Sequence, residues 1–179
     1  MKIFRILLIL AAGCLAFPAG ADAAETPSPA AVAAIASRQF LIGSWQCSFT
    51  VGQQGGTYTT VWSSVLDGAW LEQTYDQRKQ ERTDAFRADY FVGYDPRRSE
   101  WIRFGVMTTG QYFAIRMRDT GNGGWAWTYV SLFRPRAETT KPDTVFTRTS
   151  DTEYRVDGPT YPDASGATVT EHHICRKTQ

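Results

Sequence analysis

The alternation that decides the fold begins at residues 41–47, LIGSWQC. From Leu41 onward, polar residues take turns with Trp, Phe, Tyr and Val, and glycine-rich breaks interrupt the pattern at short intervals. Successive side chains of a β-strand point to opposite faces of the sheet, so a period of two indicates strands with one buried face. The chain from Leu41 onward is therefore predicted to be an antiparallel all-β domain.

About ten strands are expected from the apolar runs and the turn residues that separate them. Asp67-Gly68 and residues 121–124, GNGG, suit tight hairpins that need positive φ, and Asp95-Pro96 starts a turn whose φ is preset by the proline. Such short connections indicate that neighbours in sequence pair in the sheet. The predicted strands span residues 44–51, 57–66, 69–78, 85–94, 100–107, 111–118, 125–134, 143–149, 152–157 and 167–177.

Residues 1–24 are predicted to be a cleavable secretory signal. Lys2 and Arg5 precede an apolar run that ends near Phe17, and Ala21-Asp22-Ala23 has the small-x-small pattern that signal peptidase requires. An apolar run of about a dozen residues falls short of the ~20 needed to span a bilayer, so no membrane span is expected. The mature protein is therefore expected to be exported, most simply to the periplasm.

Lipidation at Cys14 is the alternative route of export. Residues 11–14, AAGC, look like a bacterial lipobox, although Ala11 stands where that pattern usually has Leu. In that case a lipid tethers the protein to the membrane instead of leaving it free in the periplasm.

The rest of the chain divides into a short tether and one domain. Residues 25–37 are predicted to be a polar tether and the start of a short helix, with Ser28 as N-cap and Pro29 at the first helical position. Residues 38–179 are predicted to form a single domain. The full chain has 19 basic and 18 acidic residues, interspersed rather than clustered, which argues against a nucleic-acid partner.

Two cysteines, Cys47 and Cys175, remain once the signal is removed. Two cysteines in an exported chain favour a disulfide. Cys47 falls in the first predicted strand and Cys175 in the last, so this bond would bring the two ends of the sheet together. The pattern predicts a closed up-and-down barrel, because closure removes exposed sheet edges. The alternative is a β-sandwich, which can also bring its terminal strands together.

Short motifs recur along the domain in a recognisable order. A short helix leads into Gly43 and Trp45, and the later motifs are residues 62, 66–72, 93–95, 146–148 and 175–177. Their order resembles the bacterial family of DUF1579-like proteins and, more broadly, the calycins: lipocalins, fatty-acid-binding proteins and nitrobindins. The resemblance implies a ten-stranded barrel with a short N-terminal helix, and no agreed chemistry. It also implies that Trp45 plugs the closed end, with Arg148 or Arg176 stacked on its ring.

Aromatic side chains supply the candidates for ligand binding, since they make up 13% of the chain. A barrel of about ten strands is too wide for side chains to fill easily, so an apolar cavity is expected. Arginines on central strands would place a cation inside to meet a carboxylate. The alternative is that the rings pack the core and the arginines are solvated. The candidates are Trp62, Trp70, Tyr90, Trp101, Arg103, Tyr112, Arg116 and Trp127.

Glu171 and His173 form the candidate catalytic pair. If Trp45 points inward, alternation also turns Cys47 inward, and a disulfide then sets Cys175, His173 and Glu171 on the inner face. Two residues apart on one strand face, the carboxylate and the imidazole can share a hydrogen bond and act as an acid/base pair. The alternative is a register slip, which reverses every facing, or a pair of satisfied polar residues at the barrel mouth.

No metal site is proposed, because zinc needs three or four nitrogen or sulfur ligands and the cysteines are expected to be paired. The nitrobindin resemblance raises haem as a minor alternative, with ligation by His172 or His173, the only histidines. The leading interpretation is an exported barrel that binds a small apolar or amphipathic molecule and is not an enzyme. The alternatives are a barrel isomerase or hydrolase that uses Glu171 and His173, and a cell-envelope interaction module with a filled barrel.

Overall fold

A computed structural model describes residues 26–80, 84–127, 144–162 and 166–178, without the side chain of Tyr161. The predicted signal, residues 1–24, lies outside the described residues, and Cys14 lies with it. Most of the predicted strand 125–134 also lies outside them. No helix in the described part of the chain is long and apolar enough to cross a membrane.

The described chain contains one short α-helix followed by ten strands. Helix α1 spans Pro29–Ala36, and a 3₁₀ turn spans Gln39–Leu41. Pro29 lies in the first turn of α1, as expected, whereas the Ser28 side chain makes no capping hydrogen bond. The strands are β1 (Gly43–Val51), β2 (Gln54–Val65), β3 (Trp70–Gln77), β4 (Phe86–Asp95), β5 (Glu100–Met107), β6 (Tyr112–Gly121), β7 (Gly124–Trp127), β8 (Thr144–Arg148), β9 (Glu153–Pro162) and β10 (Thr168–Lys177).

These strands close into an up-and-down antiparallel barrel. Each strand pairs with its neighbour in sequence, and β1 pairs with β10 to complete the ring. Among the described strands, each has a neighbour on both sides, so this part of the barrel offers no open edge strand to another chain. The predicted closed barrel of about ten strands with a short N-terminal helix is confirmed, and the alternative sandwich does not form.

A disulfide joins the two strands that close the ring. Cys47 of β1 lies directly opposite Cys175 of β10, and their sulfurs are bonded. Both side chains are fully buried, at 1% and 0% exposure. The predicted disulfide is confirmed. It lies in the same strand pair in which Phe49 faces His173.

Strands β2, β6 and β9 extend three residues or more beyond the bounds that the alternation predicts. Strand β2 begins at Gln54 rather than at residue 57, because Gly56 pairs with Phe49 and leaves room for its ring. A Cβ at Gly56 would lie only 2.8 Å from Phe49 Cε1. Strand β9 runs on to Pro162 rather than ending at residue 157, since pairing with β10 resumes after a β-bulge. In β2 and β9, glycine and proline residues that the sequence pattern takes as strand breaks therefore lie within the strands.

The end of the barrel beside α1 is closed by a layer of buried side chains. Ile35 of α1 and Leu41 of the 3₁₀ turn pack with Trp45, which has no exposed surface. Trp45 Nε1 donates a hydrogen bond to Leu41 O at 2.7 Å. Gly43 has φ +125°, a value that favours glycine, as the chain turns into β1. The Gly-x-Trp motif thus plugs this end.

A different cation from the expected one lies over Trp45. Lys177 Nζ is 5.4 Å from the Trp45 ring centroid, and neither predicted arginine contacts that ring. Arg176 follows the inward Cys175, so alternation turns it outward, where it pairs with Glu153 at 3.1 Å. Arg148 stacks on Phe40 of the 3₁₀ turn instead, at 4.4 Å.

Arg38 completes the closed end from the segment after α1. Its guanidinium lies over the rings of Trp101 and Trp125, at 4.9 Å and 5.1 Å from their centroids, and the two rings pack edge to face on each other. Arg38 Nη2 also donates to Asp119 Oδ2 at 2.5 Å. The side chain is almost fully buried, so its charge is balanced by one carboxylate and two aromatic faces. This cation seals the floor of the barrel.

Candidate ligand-binding cavity

A cavity of about 200 Å³ lies inside the barrel. It extends from the aromatic floor near Trp125 toward the end of the barrel away from α1, where Phe86 and Glu171 lie. Its aromatic lining consists of Tyr58, Trp62, Tyr75, Phe86, Tyr90, Trp125, Trp127, Phe146 and Tyr154. The remaining lining residues are Val92, Met117, Val156, Gln73, Arg103, Glu171 and His173.

The aromatic rings hold one another in place. Tyr58 stacks on Tyr75 with centroids 4.1 Å apart, and Phe146 stacks on Tyr154 at 4.7 Å. Trp62 Nε1 donates to the Tyr154 hydroxyl at 3.5 Å. Burial raises the pKa of Tyr58 and of Tyr154, so both phenols stay neutral. The aromatic part of the lining therefore consists of uncharged, flat rings that pack on one another.

Arg103 places a positive charge against these walls. It projects inward from β5, and its Nη2 donates to Gln73 Oε1 at 2.9 Å. Its guanidinium lies 4.2 Å from the Tyr90 ring centroid and 5.6 Å from that of Trp127. Among the described residues it has no carboxylate partner. Within the described barrel, the positive charge of Arg103 is therefore stabilised by aromatic ring faces and by one amide oxygen.

Three buried N–H groups at the cavity wall lack an acceptor among the described residues. They belong to Arg103 Nε, Trp125 Nε1 and Trp127 Nε1. Trp125 and Trp127 are 2% and 4% exposed. A buried donor without a partner costs about 1–3 kcal/mol, so native proteins seldom leave one unsatisfied. Two of these donors, Arg103 Nε and Trp127 Nε1, belong to side chains that contact each other across the cavity wall.

Glu171, His173 and Tyr58 form a hydrogen-bonded array on the other side. Glu171 Oε1 is 2.7 Å from His173 Nε2, and His173 Nδ1 is 3.0 Å from the Tyr58 hydroxyl. The hydrogen bond from His173 lowers the pKa of Glu171, so this carboxylate is ionised. Because Tyr58 stays a neutral phenol, we assign its O–H as donor to Nδ1 and the Nε2 hydrogen as donor to Glu171.

Strand pairing explains where this array lies. Disulfide-bonded Cys175 faces inward, and alternation turns His173 and Glu171 the same way. The bulge in β9 lies opposite Glu171, between the pairs Thr170–Thr160 and His172–Asp157. Gly158 lies in this bulge, where a Cβ would come 2.9 Å from Glu171 Cβ. Glycine therefore leaves the room that the Glu171 side chain occupies.

Arg103 and Glu171 lie on opposite walls of the barrel. In the ring order, β5 is five places from β10 in either direction. Strands halfway around a closed barrel face each other across its interior. The cavity therefore has a cation on one wall and an anion on the other, with aromatic rings between them.

Six of the predicted site residues line the cavity. They are Trp62, Tyr90, Arg103, Trp127, Glu171 and His173. Trp101 also faces inward and is 4% exposed, but it packs on Arg38 at the closed end instead of lining the cavity.

Three predicted ligand-binding residues lie on the outer face, so their selection is corrected. Trp70 packs over Gly93, where a Cβ would lie 2.7 Å from its ring. Tyr112 is 65% exposed, and Arg116 Nε bonds Glu100 Oε2 at 3.0 Å outside the barrel. Each is adjacent in sequence to a residue that faces inward, as Tyr112 is to Phe113. Alternation then turns the neighbour outward.

The sequence candidates omit ten of the residues that line the cavity, among them Gln73, Tyr75 and Tyr154. Gln73 and Tyr75 continue the period-two set that starts at the fully buried Leu71. The same alternation in the sequence predicts that both residues face inward. A glutamine on the inner face indicates a polar partner inside the barrel.

The two histidines do not fit haem ligation. Both ring nitrogens of His173 are engaged, by Tyr58 and by Glu171. His172 points outward, where its Nδ1 lies 2.7 Å from Asp157 Oδ1. In the described ranges, no group of three or more His, Cys, Asp or Glu residues is placed to hold a metal ion.

Among solved structures, the chain is similar to a redesigned β-barrel. The two share 10% of their residues with a TM-score of 0.41, over 80% of this chain and 96% of the other. No protein-family model matches the chain, and no match is found among curated proteins.

Proposed function

We propose that this protein is an exported, calycin-like barrel that binds a small amphipathic molecule in its aromatic cavity. The observation that carries the proposal is Arg103, a cation inside the cavity with no carboxylate partner among the described residues. An unpaired charge inside a protein is costly unless another group compensates for it. A ligand that brings an anionic group to Arg103 supplies that compensation.

The neighbouring donors support an anionic group at this position. Arg103 Nε has no acceptor in the described structure, and neither has Nε1 of Trp127, whose ring contacts the Arg103 guanidinium. A guanidinium presents N–H groups in a planar fork that matches a carboxylate, and charge-assisted hydrogen bonds are the strong ones. A carboxylate at Arg103 would thus satisfy a cation and a buried donor at once.

The walls set the chemistry of the rest of the ligand. Stacked rings such as Tyr58 with Tyr75 offer flat apolar surfaces that are already ordered. The cavity volume of about 200 Å³ is below the range of 300 to 1,000 Å³ that is usual for drug-sized ligands. The proposed ligand is therefore small, with a compact apolar body of about one ring system.

Two observations support the export and calycin-like parts of the proposal. Disulfides persist in oxidising compartments, and Cys47–Cys175 is such a bond. A short helix leads into Gly43 and Trp45, and Trp45 plugs one end of the barrel, as the family resemblance implies. A periplasmic protein and one tethered by a lipid at Cys14 are both compatible with this bond.

The alternatives receive less support from the site. A general base works best with a pKa near the working pH, whereas the His173 hydrogen bond lowers the pKa of Glu171. Both nitrogens of His173 are already engaged, so an isomerase or hydrolase is not favoured. The cavity argues against an interaction module whose barrel is completely filled.

Calorimetry with a matched pair of probes tests the proposal. We expect the mature protein to bind 3-phenylpropionate at least about tenfold more tightly than 3-phenylpropanol, a difference of about 1.4 kcal/mol. Arg103→Met should remove this preference for the acid. Arg116→Met, a matched change on the outer face, should retain it. Native mass spectrometry of protein purified from its own cell envelope should show a bound small acid.

Two results would overturn the proposal. One is that neither probe binds and the envelope-purified protein carries no bound small molecule. The other is that the acid binds equally well to the parent protein and to Arg103→Met, because Arg103 would then not hold the anionic group.

A further inference from the structure

The wall opposite Arg103 presents a second polar group to the cavity. Glu171 Oε1 is held by His173 at 2.7 Å, whereas Glu171 Oε2 makes no hydrogen bond to the described residues. The Glu171 side chain is 35% exposed and lines the cavity toward the end of the barrel away from α1. One carboxylate oxygen is therefore available to a bound molecule.

His173 and Tyr58 fix the direction of this carboxylate. His173 is only 14% exposed and bonds Glu171 on one side and the Tyr58 hydroxyl on the other. Tyr58 is itself stacked on Tyr75 at 4.1 Å. A side chain held through such a chain of partners loses little freedom when it binds a ligand. His173 and Tyr58 thus act as positioning residues for Glu171.

A ligand with a single polar end would meet this carboxylate with an apolar surface. Covering an ionised carboxylate with hydrocarbon removes its water and returns no hydrogen bond, which is unfavourable. A ligand with a hydrogen-bond donor at its second end avoids that cost, since the donor replaces water on Oε2. Charge-assisted hydrogen bonds of this type are stronger than those between neutral groups.

We infer that the ligand has two polar ends: an anionic group that binds Arg103 and a hydroxyl or ammonium donor that binds Glu171 Oε2, joined by a flat apolar body. This inference rests on the proposed function and names the class of its ligand. The opposite placement of β5 and β10 requires the two polar groups to lie at opposite ends of the molecule. Small hydroxyaryl and aminoaryl acids have this form.

Three families of probes test the inference by calorimetry on the mature protein. The two-ended probes are 4-hydroxyphenylacetate, 3-(4-hydroxyphenyl)propionate and 4-(4-hydroxyphenyl)butyrate, so that chain length does not decide the result. The acid-only probes are the same molecules without the hydroxyl, and the hydroxyl-only probe is 4-ethylphenol. We expect the best two-ended probe to bind at least about tenfold more tightly than its acid-only counterpart and than 4-ethylphenol.

Two variants assign that difference to Glu171. Glu171→Met should bring each hydroxy acid and its deoxy counterpart to within about twofold of each other, since no acceptor remains for the hydroxyl. Glu72→Met is the matched control, because Glu72 lies on the outer face of β3, bonded by Ser63 at 3.3 Å. It should keep the preference of the parent protein.

The outcomes separate this inference from the proposed function. If the deoxy acids bind the parent protein as tightly as the hydroxy acids and still depend on Arg103, the two-ended ligand is wrong and the proposed function stands. A preference that survives in Glu171→Met also overturns the inference. If none of the probes binds, the inference is overturned, and the proposed function fails with it when the envelope-purified protein also carries no bound small molecule.

Discussion

Glu171 and His173 share a hydrogen bond that is strongest when the carboxylate is charged. This bond lowers the pKa of Glu171 from its ordinary value of 4.5. The charged carboxylate therefore stabilises the folded state at pH values above 4.5, and this contribution is lost as the pH falls through the lowered value. We expect Glu171→Gln to weaken the loss of stability as the pH falls below 4.5, measured by urea unfolding at each pH.

Glu72→Gln provides the comparison for that experiment, since Glu72 lies on the outer face and bonds only Ser63 among the described hydrogen bonds. It should keep the acid dependence of the parent protein. An identical acid dependence in Glu171→Gln would show that the bond to His173 does not stabilise the folded state.

Single residues differ in how well the sequence predicts their place. The inward facing of His173 and Glu171 follows from Cys175, because a disulfide partner fixes the phase of its strand. Tyr112 has no such anchor. Residues 112–115, YFAI, are apolar on both faces, so hydrophobicity alone does not tell whether Tyr112 or Phe113 points inward. Trp70 is next to Leu71 and poses the same ambiguity.

Two aromatic rings pack against Gly105 of β5, where there is no room for a side chain. A Cβ there would lie 2.5 Å from Tyr90 Cδ1 and 2.8 Å from Phe113 Cε1, and both rings also face the Arg103 guanidinium. We expect Gly105→Ala to lower the free energy of unfolding by about 1–3 kcal/mol through overpacking. Urea unfolding measures this loss, and calorimetry with 3-phenylpropionate should show weaker binding.

Affinity separates this effect from a general loss of stability. In Gly56→Ala, the added Cβ would lie 2.8 Å from Phe49 Cε1. Phe49 is not one of the rings that surround Arg103, which are Tyr90, Phe113 and Trp127. It should reduce stability while leaving the affinity of the folded protein for 3-phenylpropionate near the parent value. Equal affinities in the parent and in Gly105→Ala would contradict the role assigned to the rings around Arg103.

The segment between α1 and β1 contributes more to the barrel than its sequence indicates. Arg38 lies over Trp101 and Trp125 and bonds Asp119, whereas the family resemblance implies a late-strand arginine on Trp45. We expect Arg38→Ala to lower the free energy of unfolding by about 2–4 kcal/mol, because it leaves a cavity and removes two ring contacts. Thermal and urea unfolding measure the effect.

Arg116→Ala is the control for Arg38, because it removes an exposed ion pair with Glu100 on the outer face. It should change the free energy of unfolding by no more than about 0.5 kcal/mol. A loss of similar size in both variants would mean that the buried position of Arg38 adds nothing. The position of Arg38 is hard to predict from sequence, since it depends on how the helix docks on the finished barrel.

Over the whole molecule, the closing strand pair was the most predictable feature. Alternation predicted the strands, and two cysteines in the first and last of them predicted that β1 would meet β10. The cavity was less predictable, because its shape depends on which rings of ten strands turn inward together. Two arginines show the difficulty: both Arg103 and Arg116 were predicted to face inward, yet only Arg103 lies inside, beside Gln73, while Arg116 bonds Glu100 on the outer face.

The closing disulfide should matter more for stability than for binding. It joins residues separated by 128 positions, and the chain-entropy model gives about 5 kcal/mol for a loop of that length. The double variant Cys47→Ala with Cys175→Ala should therefore lose up to about 5 kcal/mol in urea unfolding. Since β1 and β10 also pair by backbone hydrogen bonds from Trp45 to Val51, the folded barrel should still close and bind 3-phenylpropionate with near-parent affinity. If the folded double variant no longer binds this probe, the disulfide itself holds the cavity in shape, and backbone pairing alone does not suffice to close the ring.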